Sequence, residues 1–454
     1  MKNWSVPHDE TSRGFLRVGK ERGAETGVSR SKKTTNVWAC EAEVGTITYP
    51  QSRCRLRRCE MCDVGGEEHV VGHWEATTVT HLRTDDVADL TCDLIDIPSV
   101  SGDEKAIADA IEEALRGASH LEVLRDGDAI VARTNLGRSQ RVIIAGHIDT
   151  VPISGNVPHV REETDGVERV RGRGAVDMLG GVAGALYAAL KLNEPKHDVT
   201  WVFYDHEEVA APLNGLGRVY RNHPDWIDGQ FAILGEPTNA QIEGGCNGTV
   251  RVIATVSGVA AHSARAWRGD NAIHKVAPII EKIAMFGNPV VNVDGLDFRE
   301  SLSVTRIDGG IANNVIPDSV RLTVNYRFAP SMSPADAIAH IESYFDGVDA
   351  LFEIDDESEG ARPGADSVLA QEFIETARRV MAQEGEDLSV SAKVGWTDVA
   401  RFSALGIPAI NCGPGDPLQA HTQDEAVPVS QLRHYAKILI DYMGAASSIS
   451  EERN

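Results

Sequence analysis

Long apolar runs are missing from this 454-residue chain. No stretch approaches the ~18 residues a membrane-spanning helix needs, and residues 1–30 lack the apolar centre of a signal peptide. Positive charge is also short, with 44 Lys and Arg against 68 Asp and Glu and a formal net charge of −24. Such a surface is repelled by phosphate backbones and anionic bilayers, so neither nucleic acid nor membrane is expected as a partner. Only Cys92, Cys246 and Cys412 serve the chain beyond residue 84, too few for a disulfide framework and in keeping with a reducing compartment. These absences together predict a cytoplasmic protein. What remains, 42% hydrophobic and 25% charged residues, is ordinary for a folded protein, and the length predicts two or three compact units.

Residues 1–84 differ from the rest. They carry 13 Lys and Arg against 11 Asp and Glu, leaving 31 against 57 for the body, and they hold Cys40, Cys54, Cys59 and Cys62. Neither a helical nor an alternating apolar period persists there. The run Cys54-Arg-Leu-Arg-Arg-Cys59-Glu-Met-Cys62, followed by His69 and His73, matches no regular zinc spacing. The stretch is therefore read as a disordered extension, or as sequence upstream of a later start near Val79.

From Asp85 the pattern changes. Val87, Leu90, Leu94 and Ile95 share one helical face, Ser99-Val-Ser-Gly-Asp103 supplies a turn, and Ile107, Ile111 and Leu115 continue at helical spacing. Leu121-Glu-Val-Leu and Ala129-Ile-Val-Ala read as short strands. Val142-Ile-Ile-Ala, Val199-Thr-Trp-Val-Phe-Tyr and Phe231-Ala-Ile-Leu read as buried strands, and a helix spans residues 180–192 between the first two. Strand, helix, strand at this length predicts an α/β sheet of mostly parallel order. An alternating strand from Thr249, a helix around residues 271–285, strands at 301–307 and 320–328 and a helix at 334–344 then predict an inserted α+β domain. The expected organisation is a catalytic domain in two parts, 85–246 and 362–454, interrupted by residues 247–361.

Each buried strand runs into metal-ligand chemistry: Gly146-His147-Ile-Asp149, Asp205-His-Glu207-Glu208 and Gly235-Glu236. Binding crevices in open α/β sheets lie beyond the carboxyl ends of the strands, so these groups are expected to meet. Asp177 opens the following helix, and His421 ends a late run after Asn411-Cys412. Acids gathered in one cleft repel each other unless cations neutralise them. A dinuclear site with a shared Asp fits, with zinc as the ion and cobalt or manganese as substitutes.

At this point the chain resembles the co-catalytic zinc amidohydrolase and exopeptidase family, over roughly residues 88–443. The likeness rests on Gly146-His-Ile-Asp-Thr-Val-Pro152, Gly172-Arg-Gly-Ala-Val-Asp-Met178, Tyr204-Asp-His-Glu-Glu208, Gly235-Glu-Pro-Thr238, Ala261-His-Ser-Ala-Arg265 and Gly395-Trp-Thr-Asp-Val-Ala-Arg-Phe402. One departure is Leu179, where the family commonly carries Lys after Asp-Met. The resemblance implies a zinc-exopeptidase-like mixed sheet flanked by helices, with a ferredoxin-like lid and dimerisation domain. It implies two zinc ions per subunit, one on His147, Asp177 and Glu236, the other on Asp177, Glu208 and His421. Asp149 would orient His147, Glu207 would act as general base, and His262 would stabilise the oxyanion from the partner subunit of a homodimer. Asn313, Asn314, Arg327 and Thr397 would contact a small N-acyl amino acid. Within the family the likeness is greatest to members that cleave N-succinyl-LL-2,6-diaminopimelate in lysine and diaminopimelate biosynthesis. Other N-acyl-amino-acid deacylases and metallo-carboxypeptidases share the metal set. A metal-dependent binding protein is the reading outside the enzymes, and the Glu207-Glu208 pair argues against it, since binding needs no base.

Overall fold

The computed structural model describes residues 81–444 and the two-residue strand Trp4–Ser5. The Cys54, Cys59, Cys62, His69 and His73 run lies outside the described residues. The ordered body begins before residue 85. Leu82 is buried, and Arg83 grips Asp93 through Nε at 3.0 Å and Nη2 at 2.7 Å. Residues 81–84 are thus among the described residues and pack with the helix Val87–Ile95; an isolated Leu-Arg pair shows no period that sequence reading can detect.

Eight strands form the larger sheet. Its centre is parallel, in the order Ala409–Asn411, Phe231–Leu234, Arg141–His147, Asp198–Tyr204. Ala129–Arg133 and Glu122–Asp126 extend one side in antiparallel order, and Ile242–Gly244 with Val390–Ala392 extend the other, so the sheet is mixed. Alternate residues of a strand face opposite ways. Trp201 and Phe203 accordingly join the core under the helices Val87–Ile95, Lys105–Arg116, Leu179–Lys191, Val368–Gln383 and Val429–Met443. Val202 and Tyr204 join the core under Gly215–Asn222 and Val399–Ala404. Burial on both faces explains the unbroken apolar runs.

Close backbone approach fixes the strand end at Leu234. A Cβ on Gly181 would lie 2.0 Å from the Gly235 carbonyl oxygen, and one on Gly413 would lie 2.2 Å from the same atom. Bare backbone on both sides lets the helix Leu179–Lys191 and the loop after Asn411 clasp the segment that carries Glu236.

The second sheet has the spatial order Trp4–Ser5, Leu351–Ser358, Gly248–Ser257, Ser319–Phe328, Ser301–Gly309; the two-residue Trp4–Ser5 runs parallel to its neighbour and the other four strands are antiparallel. Gly248–Ser257 alternates buried and half-exposed residues, as one covered face requires. Val250, Val252, Tyr326, Phe328 and Ile341 share its own core cluster. The helix expected around residues 271–285 is two pieces, Ala272–Lys275 and Ala277–Ala284. Pro278 has no amide hydrogen to continue the first piece. Pro334–Tyr344 starts at a capping box formed by Ser333 and Asp336. The β-α-β-β-α-β order is ferredoxin-like. No helix of the described residues is long and apolar enough to cross a membrane.

Candidate metal centre and active site

Register brings the strand ends level. His147 pairs with Tyr204 across one interface, while Ala145 pairs with Leu234 across the other. His147, the residues after Tyr204 and the residues after Leu234 therefore emerge at one sheet edge. The loop bearing His421 is tied to the segment before Asp177: Arg173 Nη1 donates to Thr422 O at 3.1 Å, and Gly172 N donates to Glu425 O at 3.2 Å.

Asp177 bridges two imidazoles. Its Oδ1 lies 3.2 Å from His147 Nε2 and its Oδ2 lies 3.2 Å from His421 Nε2. Glu208 Oε1 lies 2.8 Å from the same His421 nitrogen. Donor atoms of Asp177, Glu208 and His421 lie close enough to share one ion, and so do those of His147, Glu207 and Glu208. Glu236 is buried beside them, within electrostatic reach of Asp177 and His147.

The electrostatics are those of an acid-rich pocket. Burial pushes the Glu236 carboxyl up to about 7, helped by the Asp177 charge. Burial raises Glu207 well above the carboxylate range, with Asp398, Glu236 and Glu208 adding to it and His147 opposing. Hydrogen bonds from His421 to Asp177 and Glu208 raise that imidazole to about 10. Burial disfavours a charged His147, yet Asp177, Glu207 and Asp149 together raise its pKa well above the usual value. Several carboxylates turned toward imidazole nitrogens are stable only around positive charge.

Asp149 meets His147 and has a second set of partners. His147 Nδ1 lies 3.0 Å from the Asp149 backbone carbonyl and 3.6 Å from its carboxylate. The carboxylate also accepts the amides of Glu207 and Glu208, each at 3.0 Å. It orients the acidic pair through backbone, and its main-chain oxygen serves the imidazole.

The other sequence-derived residues lie in separate places. His262, Asn313 and Asn314 cluster on the second fold element: His262 pairs with Val315, Ser263 N donates to Asn314 O at 2.8 Å, and all three side chains are exposed. The His262 Nδ1 accepts the Ala264 amide at 3.0 Å. Arg327 lies on Ser319–Phe328 and donates from Nε to Asn325 Oδ1 at 3.0 Å. Thr397 is buried and donates to Asn411 Oδ1 at 3.0 Å, which makes it a support for the strand end. Leu179 is buried in the core, so this position adds packing in place of charge.

Sequence reading passed over Ser101, Glu104, Asp398 and Glu425. Asp398 is fully buried, accepts Asn214 Nδ2 at 2.9 Å and is paired with Arg401. Glu425 is buried, accepts the Gly174 amide, and is pushed up to about 7 by that burial. Acids at a helix start or in a loop read as solvated until the fold covers them.

The model of peptidase family M20/M25/M40 matches residues 143–445. The succinyl-diaminopimelate desuccinylase of Corynebacterium glutamicum is 46% identical over 362 residues, covering 78% of this chain and 95% of that protein. A Mycobacterium tuberculosis H37Rv protein provisionally given the name succinyl-diaminopimelate desuccinylase DapE is 49% identical over 364 residues, 80% of this chain and 99% of its own length. Among solved structures, an M20 family metallo-carboxypeptidase from Sulfolobus solfataricus superposes with a TM-score of 0.64 at 16% identity, covering 79% of this chain and 98% of that one. At that identity the likeness is one of fold. A dinuclear metal-binding peptidase of the M20 family from Bacillus subtilis gives 0.56 at 18% identity, covering 78% and 96%.

Proposed function

The chain belongs to peptidase family M20/M25/M40, and we propose that this metal-dependent amidohydrolase cleaves N-succinyl-LL-2,6-diaminopimelate to succinate and LL-2,6-diaminopimelate. The observation that carries the reading is the meeting of His147, Asp177, Glu207, Glu208 and His421 at one sheet edge, in a chain that spans 99% of a relative named for that activity.

The donor set fits a dinuclear metal: two imidazoles and three carboxylates converge, and Asp177 offers one oxygen to each side. His147, Asp177 and Glu236 would hold one ion, and Asp177, Glu208 and His421 the other. Zinc suits this mixture of nitrogen and oxygen donors, and cobalt or manganese would substitute. Such ions, when bound, acidify water and polarise an amide carbonyl. Glu207, whose buried carboxyl has a raised proton affinity, takes the proton of the attacking water and delivers it to the departing amine nitrogen. Asp149 holds Glu207 in place through its amide. Asn313, Asn314 and Arg327 orient the substrate, whose several carboxylates call for a guanidinium. The protein works as a cytoplasmic homodimer in which the partner subunit's His262 donates to the developing oxyanion.

The test is a parallel assay of N-succinyl-diaminopimelate, acetylornithine and a peptide with C-terminal glutamate on zinc-loaded protein. The first should have the largest kcat/KM. A larger value for either of the others would replace the substrate, and turnover of none would return the protein to the binding class.

A further inference from the structure

Three successive backbone amides after the strand Asp198–Tyr204 are tied to two carboxylates from elsewhere in the chain. His206 N donates to Glu104 Oε1 at 3.2 Å, Glu207 N to Asp149 Oδ1 at 3.0 Å and Glu208 N to Asp149 Oδ2 at 3.0 Å. Ser101 Oγ donates to that same Asp149 Oδ2 at 2.7 Å, so residues 101–104 supply one acceptor and hold the other. The segment is anchored in turn: Thr150 N donates to Ser99 O at 2.9 Å and Ser101 N to Thr150 O at 3.1 Å. His206 adopts a left-handed backbone, φ 59°, which helps to turn neighbouring amides toward one side as in an anion-binding nest. Arg218 holds the residue before the turn, reaching Asp205 Oδ1 at 2.6 Å and Oδ2 at 2.9 Å.

Glu104 is in an unusual place for an acid. It precedes the helix Lys105–Arg116 but makes no side-chain capping bond, and it is 1% exposed. A carboxylate held out of water needs strong partners: besides the local backbone at Gly102 and Glu104, Glu104 meets the His206 amide and the His206 Nδ1, each at 3.2 Å, both in the turn before the acidic pair.

We propose that Glu104 is a positioning residue which, by accepting the His206 amide while Asp149 accepts the next two, sets the direction of the Glu207 and Glu208 side chains. It touches neither substrate nor reacting atoms. The inference rests on the reading of Glu207 as the base, and a base displaced by about 1 Å loses on the order of 10²-fold in rate.

The test compares Glu104→Ala with Glu104→Gln in the full-length, metal-loaded protein. Glutamine keeps an oxygen for the His206 amide, so it should stay within about threefold of the parent kcat, whereas alanine should lower kcat by about 10- to 100-fold with KM little changed. A second readout needs no turnover: deuterium exchange of the peptide covering residues 205–209 should quicken about 10-fold or more in the alanine variant and not in the glutamine one, with Arg141–His147 still protected. Unchanged exchange in Glu104→Ala overturns the proposal, and so does faster exchange with an unaltered kcat. If the alanine variant does not fold, Glu104→Asp, one methylene shorter, must show the same pairing of faster local exchange and lower kcat, and parent-like behaviour in both rejects the role. A parent protein that turns over no acyl amino acid defeats the functional reading, while exchange still decides whether the turn is held by Glu104.

Discussion

Glu207 and Glu208 are adjacent in the chain and differ in surroundings. Glu208 meets His421 at 2.8 Å, whereas Glu207 is pushed up by burial and by the acids around it. Glu207→Gln is expected to keep its metal and to lose about 10²- to 10⁴-fold in kcat, the usual worth of a general base. Metal analysis alongside kcat checks this, and loss of metal in that variant would exchange the roles of the pair. Far from the site, Asp198 is a structural acid. Burial works to raise it, but the amides of Leu136 and Arg138, each at 2.8 Å, and the Thr134 hydroxyl at 3.0 Å hold it below the usual carboxylate range. A depressed carboxyl stabilises the fold above its unfolded pKa and loses that contribution as pH falls through its folded pKa. Asp198→Asn should therefore lower unfolding stability at pH 7 by about 1–3 kcal/mol. In urea melts the gap from the parent should shrink below pH ~4, and a gap independent of pH would place the effect in packing.

At the scale of elements, the helix Leu179–Lys191 contains Gly180, Gly181 and Gly184, a poor composition for a helix, since each glycine costs about 1 kcal/mol relative to alanine. Propensity therefore favours Gly181→Ala, and tertiary contact opposes it. A Cβ would sit 2.0 Å from the Gly235 carbonyl, a backbone atom with no rotamer by which to retreat. Overpacking of this kind costs about 1–3 kcal/mol or more, so contact should win. Gly181→Ala is expected to melt lower and to bind less metal, because the displaced segment carries Glu236. A higher melting temperature with full metal content would show that the strand end gives way freely. The first helix makes a similar point about boundaries. A chain beginning at residue 81 retains Leu82 and the Arg83 pair with Asp93, and one beginning at residue 85 loses both. The shorter chain should melt several degrees lower, since burial of one leucine is worth about 1.5–3 kcal/mol.

Across the whole molecule, two sheets with separate cores divide the work. The acidic cluster belongs to the larger sheet, while His262, Asn313 and Asn314 sit together, exposed, with the smaller one. If the proposed homodimer exchanges His262 between subunits, then inactive His262→Ala and inactive Glu207→Gln proteins should regain activity when mixed. One site of a mixed dimer has an intact Glu207 and receives the partner's His262 intact. Confirmed subunit exchange without recovered activity would confine His262 to its own chain.

Read alone, the sequence determined the buried strands, the covered sheet and the ligand types at the strand ends, because apolar runs and the residues that punctuate them are local properties. Val142 to Ala145, Val199 to Tyr204 and Phe231 to Leu234 are strands in the structure, and the alternation from Thr249 marks a sheet covered on one face. Other features were decided only by tertiary structure. Gly181 in Leu179–Lys191 is explained by a carbonyl more than fifty residues later in the chain, and Gly184 by the ring of Tyr435. Asp149, two residues from His147, spends its carboxylate on amides of residues 207 and 208. Glu104, which by position is an exposed cap, is buried against His206. Each of these depends on groups distant in sequence meeting at one sheet edge, and it is the parallel register of the central strands that brings them there.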